Sequence, residues 1–367
     1  MIENEKYLTD QIITYIGNKR SLLEFIGQGI DIVKKDLDKD KLAVFDGFAG
    51  SGIVSRYFKQ HSSYLISNDF EYYSYVINKT YLTNKKDLDF GYIKEITDEL
   101  NRLKLRTDLG MGIIEKLYAP KDDNNIQDGE RTFYTNCNAK IIDNIRRTID
   151  LIVLNEDYRD IFLSTLMTKA SVHVNTGGVF KGFYKNKEGI GEFGGTGKNA
   201  LVRILGEIEL PIPILSNFDC DNEVYNEDTN QLIHKLGRKM DVTYYDPPYN
   251  QHPYGSNYFM LNLIYRYEEP KIISKVSGIP DDWQRSNYNK KEAAKKSLND
   301  LIRDTPSTFI LLSYNNEGII PHDTVVAIMS QYGSLTVLQQ QYNTYKASRN
   351  LKDRENKVSE ILYVLKK

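Results

Sequence analysis

Four consecutive residues, Asp246-Pro247-Pro248-Tyr249, join a carboxylate, a stiff backbone and an aromatic ring directly after the apolar run Val242 to Tyr245. Two prolines in a row fix the chain direction, and Pro247 keeps a carbonyl acceptor while offering no N–H donor. A carboxylate and a carbonyl aimed the same way can accept both hydrogens of an exocyclic amino group. That leaves the nitrogen lone pair directed at an electrophile, with Tyr249 placed to stack on the ring carrying the amine. If the tetrapeptide stood alone, a proline-rich turn closing a strand would be the favoured reading.

It is accompanied by Phe45-Asp46-Gly47-Phe48-Ala49-Gly50-Ser51-Gly52, whose small residues let the backbone turn sharply and approach a ligand closely. Asp69 follows Asp46 by 23 residues. In doubly wound nucleotide-binding folds an acidic side chain about 20 residues on, at the end of the second strand, accepts from ribose hydroxyls. The loop is not G-x-G-x-x-G, and Asp46 stands where a dinucleotide would bring its pyrophosphate. Negative charge there disfavours phosphate and tolerates a cation, a demand met by the sulfonium and ammonium groups of S-adenosylmethionine. Taken by itself, the loop is more readily an ordinary strand-to-helix turn than a cofactor loop.

The elements that must position these residues follow from hydrophobic periodicity. Leu22 to Val33 reads as a helix, Lys41 to Phe45 as a short buried strand, Ile53 to Gln60 as a helix and Tyr64 to Ser67 as a second strand. From about Asn84 to Glu209 the pattern changes to long polar helices, including one around Ala139 to Leu154, and this stretch reads as an inserted domain. Strand-like runs return at Asp241 to Tyr245, Ser307 to Ser313, Ser334 to Tyr342 and Glu360 to Leu365. The expectation is an α/β fold with a Rossmann-like, mostly parallel sheet that ends in an antiparallel hairpin. Residues 1–83 and 210–367 would form one domain around the insertion at 84–209.

Composition bounds the partners. The 367 residues, 40% of them apolar, suffice for a sizeable core, and no eighteen apolar residues run together. An acidic, polar N-terminus and two widely spaced cysteines, Cys137 and Cys220, fit a reducing, cytoplasmic protein with no membrane role. A net charge of −2 does not advertise nucleic-acid binding. Between Lys169 and Arg203, however, cations exceed anions by four, and lysines alternate with Phe180, Phe183, Tyr184 and Phe193. Lysines grip phosphate and aromatics wedge or stack, although a solvated glycine-rich loop has the same composition. Gly194 to Asn199 is not a phosphate loop, because Glu192 stands where its first glycine belongs. The five histidines share no metal-ligand spacing, and no metal is expected.

At these residues the chain resembles the Dam-type, alpha-arrangement adenine-N6 DNA methyltransferases, nearly end to end. Tyr15-Ile16-Gly17-Asn18-Lys19 resembles their N-terminal cofactor motif, Phe48 to Gly52 their F-x-G-x-G motif and Asp246 to Tyr249 their catalytic tetrapeptide, in the family's order. The resemblance implies S-adenosylmethionine as cofactor, held by Tyr15, Gly17, Lys19, Asp46, Phe48, Ala49, Gly50, Gly52, Asp69, Phe70 and Asp228, the last adjoining Glu227. It also implies double-stranded DNA as substrate, and target recognition by the 84–209 insertion. Arg131 to Thr135, with Asn138 and Ile142 to Arg146, resembles a segment of relatives that carry separate recognition modules. Departures are Asp-Gly-Phe where Glu-Pro-Phe is common, and Asn18 in place of a usual glycine.

The mechanism this implies is direct methyl transfer to a flipped-out adenine. Asp246, Pro247, Pro248 and Tyr249 would hold the base. Lys181, Lys185, Lys198, Tyr254, Asn257, Tyr258, Lys346 and Arg349 would meet DNA, and residues 251–258 would form a loop that closes on it. A cytosine-N4 or RNA adenine methyltransferase, or a silent DNA-binding relative, are the alternatives. A monomer is expected, with a cognate restriction endonuclease as a possible partner.

Overall fold

A computed structural model describes residues 2–195, 197–198, 200–343 and 357–367. Its centre is a seven-stranded sheet: β1 Leu42–Asp46, β2 Ser62–Asn68, β3 Asp221–Tyr225, β4 Met240–Tyr245, β5 Ser307–Asn315, β6 Ser334–Asn343 and β7 Lys357–Lys366. The spatial order is β3-β2-β1-β4-β5-β7-β6. β3, β2, β1, β4 and β5 run parallel, whereas β7 enters antiparallel between β5 and β6. This is a Rossmann-like sheet, with the expected terminal hairpin occupying one flank.

Alternation along the strands explains the layering. Leu42, Val44, Phe309, Leu311, Leu362 and Val364 pack on one face with the helices Leu23–Leu37 and Ile53–Lys59. Their neighbours Ala43, Phe45, Ile310, Leu312, Tyr363 and Leu365 pack on the other with Lys291–Asp304 and His322–Met329. Both faces are covered, so all five residues of β1 are buried and its sequence is a continuous apolar run rather than an alternation. β3 was absent from the sequence reading: Asp-Asn-Glu-Val-Tyr is polar because it is an edge strand with no fully buried residue.

Between β2 and β3 the chain forms the expected long helices, chiefly Phe90–Leu103, Asn136–Ile152 and Glu156–His173. Asp89, Thr135 and Asn155 each accept backbone N–H bonds as N-caps of these three. Their apolar faces share a continuous core with Tyr73, Val76 and Ile77 of the helix Tyr72–Leu82 and with Phe259 to Ile264. The inserted helices are therefore welded to the sheet-bearing part by apolar packing. Among the described residues no helix is long and apolar enough to cross a membrane.

Candidate active site

The chain order reverses between β1 and β4, and in open α/β sheets ligands bind beyond the carboxyl ends of the strands at such a switch point. Asp46 ends β1, paired in register with Tyr244 two residues before Asp246. Both sequence constellations thus emerge side by side. The loop after β1 is tied down by backbone bonds, Gly47 N–H to Tyr244 O at 3.0 Å and Ala49 N–H to Asn68 O at 3.0 Å. Asn68 adds a clamp, its amide donating to the Gly47 and Glu227 carbonyls at 3.3 and 3.1 Å. Gly50 takes φ +53°, and a Cβ there would lie 2.8 Å from the Tyr15 ring, so only glycine fits.

A cavity opens over this edge, in the place where open α/β sheets bind their ligands. Tyr15, Gly17, Lys19, Phe48, Ala49, Gly50, Asp69, Phe70 and Asp228 all line it, together with Asp246 and Pro248. Asp69 accepts from Gly50 N–H at 2.7 Å and Glu71 N–H at 2.9 Å, which fixes the carboxylate and leaves acceptor capacity toward the cavity. Asp228 lines the cavity as the N-cap of Thr229–Leu232, whereas the adjacent Glu227 is paired with Lys235. Phe48 meets Tyr288 and Tyr245 edge to face, at 5.3 and 5.9 Å between ring centres, and forms an aromatic wall.

At the catalytic tetrapeptide, Asp246 Oδ2 lies 3.0 Å from Lys19 Nζ. Its other oxygen, Oδ1, is buried with no hydrogen-bond partner. Burial is the main cause that lifts the Asp246 carboxyl to about 6, against the pull of the Lys19 ammonium. Lys19 also stands 5.5 Å from the centre of the Tyr249 ring. Gly17 at φ +75° permits this crowding, since a Cβ would lie 3.1 Å from Tyr249 Oη.

Several expected contacts are corrected. Asp46 is fully buried behind the cavity, its carboxylate held by Ser55 Oγ at 2.6 Å and Phe48 N–H at 3.4 Å, and burial raises it to about 7. It braces the loop and does not line the cavity. Negative charge facing the cavity comes instead from Asp69, Asp228 and Asp246, while burial pushes the Glu71 carboxyl up to about 8. Gly52 also lies outside the lining; its φ of +77° starts the following helix against Asn78. Pro247 is buried, so that its ring does not line the cavity and only its backbone carbonyl is left to the role expected of it.

The DNA-facing set divides. Lys181, Lys185 and Lys198 are exposed. Asn257 and Tyr258 are 4% and 0% exposed and belong to the core, where Tyr258 Oη accepts from Ile16 N–H at 2.8 Å. Tyr254 lines the cavity, stacked 5.1 Å from Tyr15. Residues 254–257 form a short helix, because Tyr254, Tyr258 and Leu261 fall on one buried face. Lys346 and Arg349 lie outside the described residues. Sequence reasoning missed the wall formed by Gln284, Ser286, Tyr288 and Asn289, in a polar segment with no periodicity. Beside it the exposed Arg285 stacks 4.2 Å over Trp283. Among the described residues no group of three or more His, Cys, Asp or Glu could hold a metal ion.

Comparison with known proteins decides the class. The profile of the D12 class N6 adenine-specific DNA methyltransferases matches residues 15–328. The chain belongs to that family. It is 33% identical over 363 residues to the type II methyltransferase M.NlaIII of Neisseria lactamica, covering 97% of this chain and 99% of that protein. It is 29% identical to the type II methyltransferase M.CviAII of Paramecium bursaria Chlorella virus 1, covering 91% and 93%. With the modification methylase StsI of Streptococcus sanguinis it shares 30% identity over 96% of this chain and 52% of the longer relative. The protein is an adenine-specific DNA methyltransferase: it takes a methyl group from a donor and places it on the N6 amine.

Proposed function

We propose that the cavity binds S-adenosylmethionine and that Asp246 Oδ1 accepts a hydrogen bond from the N6 amine of an adenine flipped out of duplex DNA. The unpartnered, buried Oδ1 atom carries this reading, since a buried carboxylate oxygen without a donor is costly unless a ligand satisfies it. The lining suits the donor. Asp69, Asp228 and Asp246 face the cavity against one ammonium, Lys19, already paired with Asp246, which favours a cationic nucleoside. Asp69 would hold ribose hydroxyls, Phe48 and Asp228 the adenine end, and Gly50 the close approach of the chain. When bound, the cofactor supplies an electrophilic methyl group on a sulfonium sulfur.

The chain's own contribution is orientation and electrostatics. Asp246 and the Pro247 carbonyl fix the amine so that its lone pair points at the methyl, and Tyr249 stacks on the base. With the cofactor bound, the amine would take the methyl group and lose one proton to solvent, while Asp246 and the Pro247 carbonyl keep it oriented. The Lys181 to Lys198 segment borders the site, with Phe180 N–H donating to Asn257 O at 2.8 Å beside the Tyr254 wall, and its exposed lysines suit backbone phosphates. Residues 84–209 would supply target recognition. The type II and modification-methylase names of the relatives support a cytoplasmic role beside a restriction endonuclease, and the protein would act as a monomer.

The test is transfer of labelled methyl from S-adenosylmethionine to mixed-sequence duplex DNA, with nucleoside analysis of the product. Natural protein should yield N6-methyladenine, and Asp246→Ala should lose roughly a thousandfold or more in kcat while still binding cofactor. An Asp246→Ala enzyme of ordinary activity would sink the assignment.

A further inference from the structure

Glu360 enters the site from β7 and is 1% exposed. Its Oε1 lies 3.3 Å from Lys19 Nζ and accepts from Ser313 Oγ of β5 at 2.6 Å, while Oε2 is buried without a partner. The same ammonium stands 3.0 Å from Asp246 Oδ2 and 3.5 Å from the Gly17 carbonyl. A lysine head is a compact charge on a flexible four-carbon stem, and one carboxylate alone leaves it several rotamers. Two carboxylates approached from different strands leave it one. A buried, half-satisfied carboxylate opposes folding, and a glutamine would keep the Ser313 contact without the charge. Packing of β5 on β7 therefore gives no reason for an anion at this position.

Taking Asp246 as the acceptor of the adenine amine, we propose that Glu360 is a positioning residue for methyl transfer. It pins the Lys19 ammonium between two carboxylates, so that Asp246 has one oxygen held by the protein and the other turned to the base.

The arrangement has an electrostatic signature. The triad of Lys19, Asp246 and Glu360 carries one net negative charge. Facing Asp246 are Lys19 from the N-terminal loop, Glu360 from β7, Asp46 at the end of β1, Tyr244 of β4 and Tyr254 of the short helix, with Tyr249 beyond Lys19. After burial, which comes first, Lys19 lowers the Asp246 carboxyl and Glu360 raises it. Ionised Asp246 is the stronger acceptor through Oδ1 and the form that the Lys19 ammonium holds, so turnover falls as pH drops through its pKa. Deleting the Glu360 charge lowers that pKa and moves the acid limb to lower pH.

The experiment compares natural protein, Glu360→Gln, Glu360→Asp and Asp246→Ala for kcat, KM for DNA, cofactor affinity, thermal midpoint and the pH dependence of kcat. Glu360→Gln is expected to keep KM and cofactor affinity within about twofold and to lose roughly ten- to a hundredfold in kcat. Its acid limb should move down by about one pH unit, with no fall in thermal midpoint, because a buried charge has been removed. Glu360→Asp keeps the charge with a shorter reach, and should keep the limb while recovering part of kcat. A Glu360→Gln enzyme with natural kcat and an unmoved limb overturns the proposal. So does a loss of activity that tracks a lowered midpoint with the limb unmoved. An active Asp246→Ala enzyme instead sinks the underlying role of Asp246, so the two failures are distinguishable.

Discussion

The switch-point edge of the sheet and the inserted helices use buried polar groups in opposite ways. In the insertion they are spent on the protein's own backbone. Arg146, 3% exposed, donates to the carbonyls of Ile264 and Tyr265 at 2.8 and 3.0 Å, and Arg131 reaches four carbonyls on Leu117, Ser274, Lys275 and Val276. Asp143 accepts from the N–H groups of Ile114 and Glu115 and from Tyr267 Oη. At the sheet edge, by contrast, Asp246 Oδ1 and Gln284 Oε1 line the cavity with nothing bonded to them. Satisfied groups hold shape, and the two open oxygens on the cavity wall are placed to take donors from a ligand. The segment whose sequence resembles a recognition module thus serves, at Arg131, Asn138, Asp143 and Arg146, as scaffold.

Substitutions can break or sharpen this contrast. The largest effect is expected at the edge: Gly17→Ala forces a side chain to φ +75° and sets a Cβ 3.1 Å from Tyr249 Oη. Steady-state kinetics should show kcat/KM for DNA down roughly a hundredfold, the cost of about an ångström of misplacement, with the thermal midpoint lowered only slightly. Arg146→Ala should do the reverse. It strands the Ile264 and Tyr265 carbonyls, so denaturant unfolding should report a loss of about 2–3 kcal/mol, while kcat of the folded fraction stays within twofold. If Arg146→Ala instead abolished turnover at unchanged stability, the division would fail. The smallest effect is expected on the basic loop, where Lys181→Ala with Lys185→Ala should weaken DNA binding about fivefold. The slope of log affinity against log salt should become shallower by about two, and a slope that stays the same would remove both lysines from the DNA face.

What the sequence disclosed and what it withheld divide along physical lines. Buried strands such as Val242 to Tyr245 announce themselves as apolar runs, and the two loops after β1 and β4 by glycine and proline, because backbone geometry restricts residue choice there. β3 was silent because an edge strand need not be apolar. Asn257 and Tyr258 misled because a polar, aromatic stretch has a loop's composition, while their burial depends on Ile16 and Phe180 far away in the chain. Asp46 misled in the other direction: its spacing to Asp69 is right for a ligand, but its carboxylate folds back onto Ser55. The union of Lys19, Asp246 and Glu360 joins three distant parts of the chain, and no local pattern encodes it.

That union has a consequence for the timing of synthesis. β7 lies between β5 and β6, so the sheet has a gap until the final strand is delivered. Lys19 precedes every strand of the sheet, and its second carboxylate comes with β7, the strand that follows all the others in chain order. A nascent chain can collapse around β1, β2 and β4 as they emerge, yet it holds Lys19 by Asp246 alone until β7 slides into place. A chain cut short before β7 would keep the cavity wall around Asp69 and Asp228 and lack the second carboxylate on Lys19 beside Asp246.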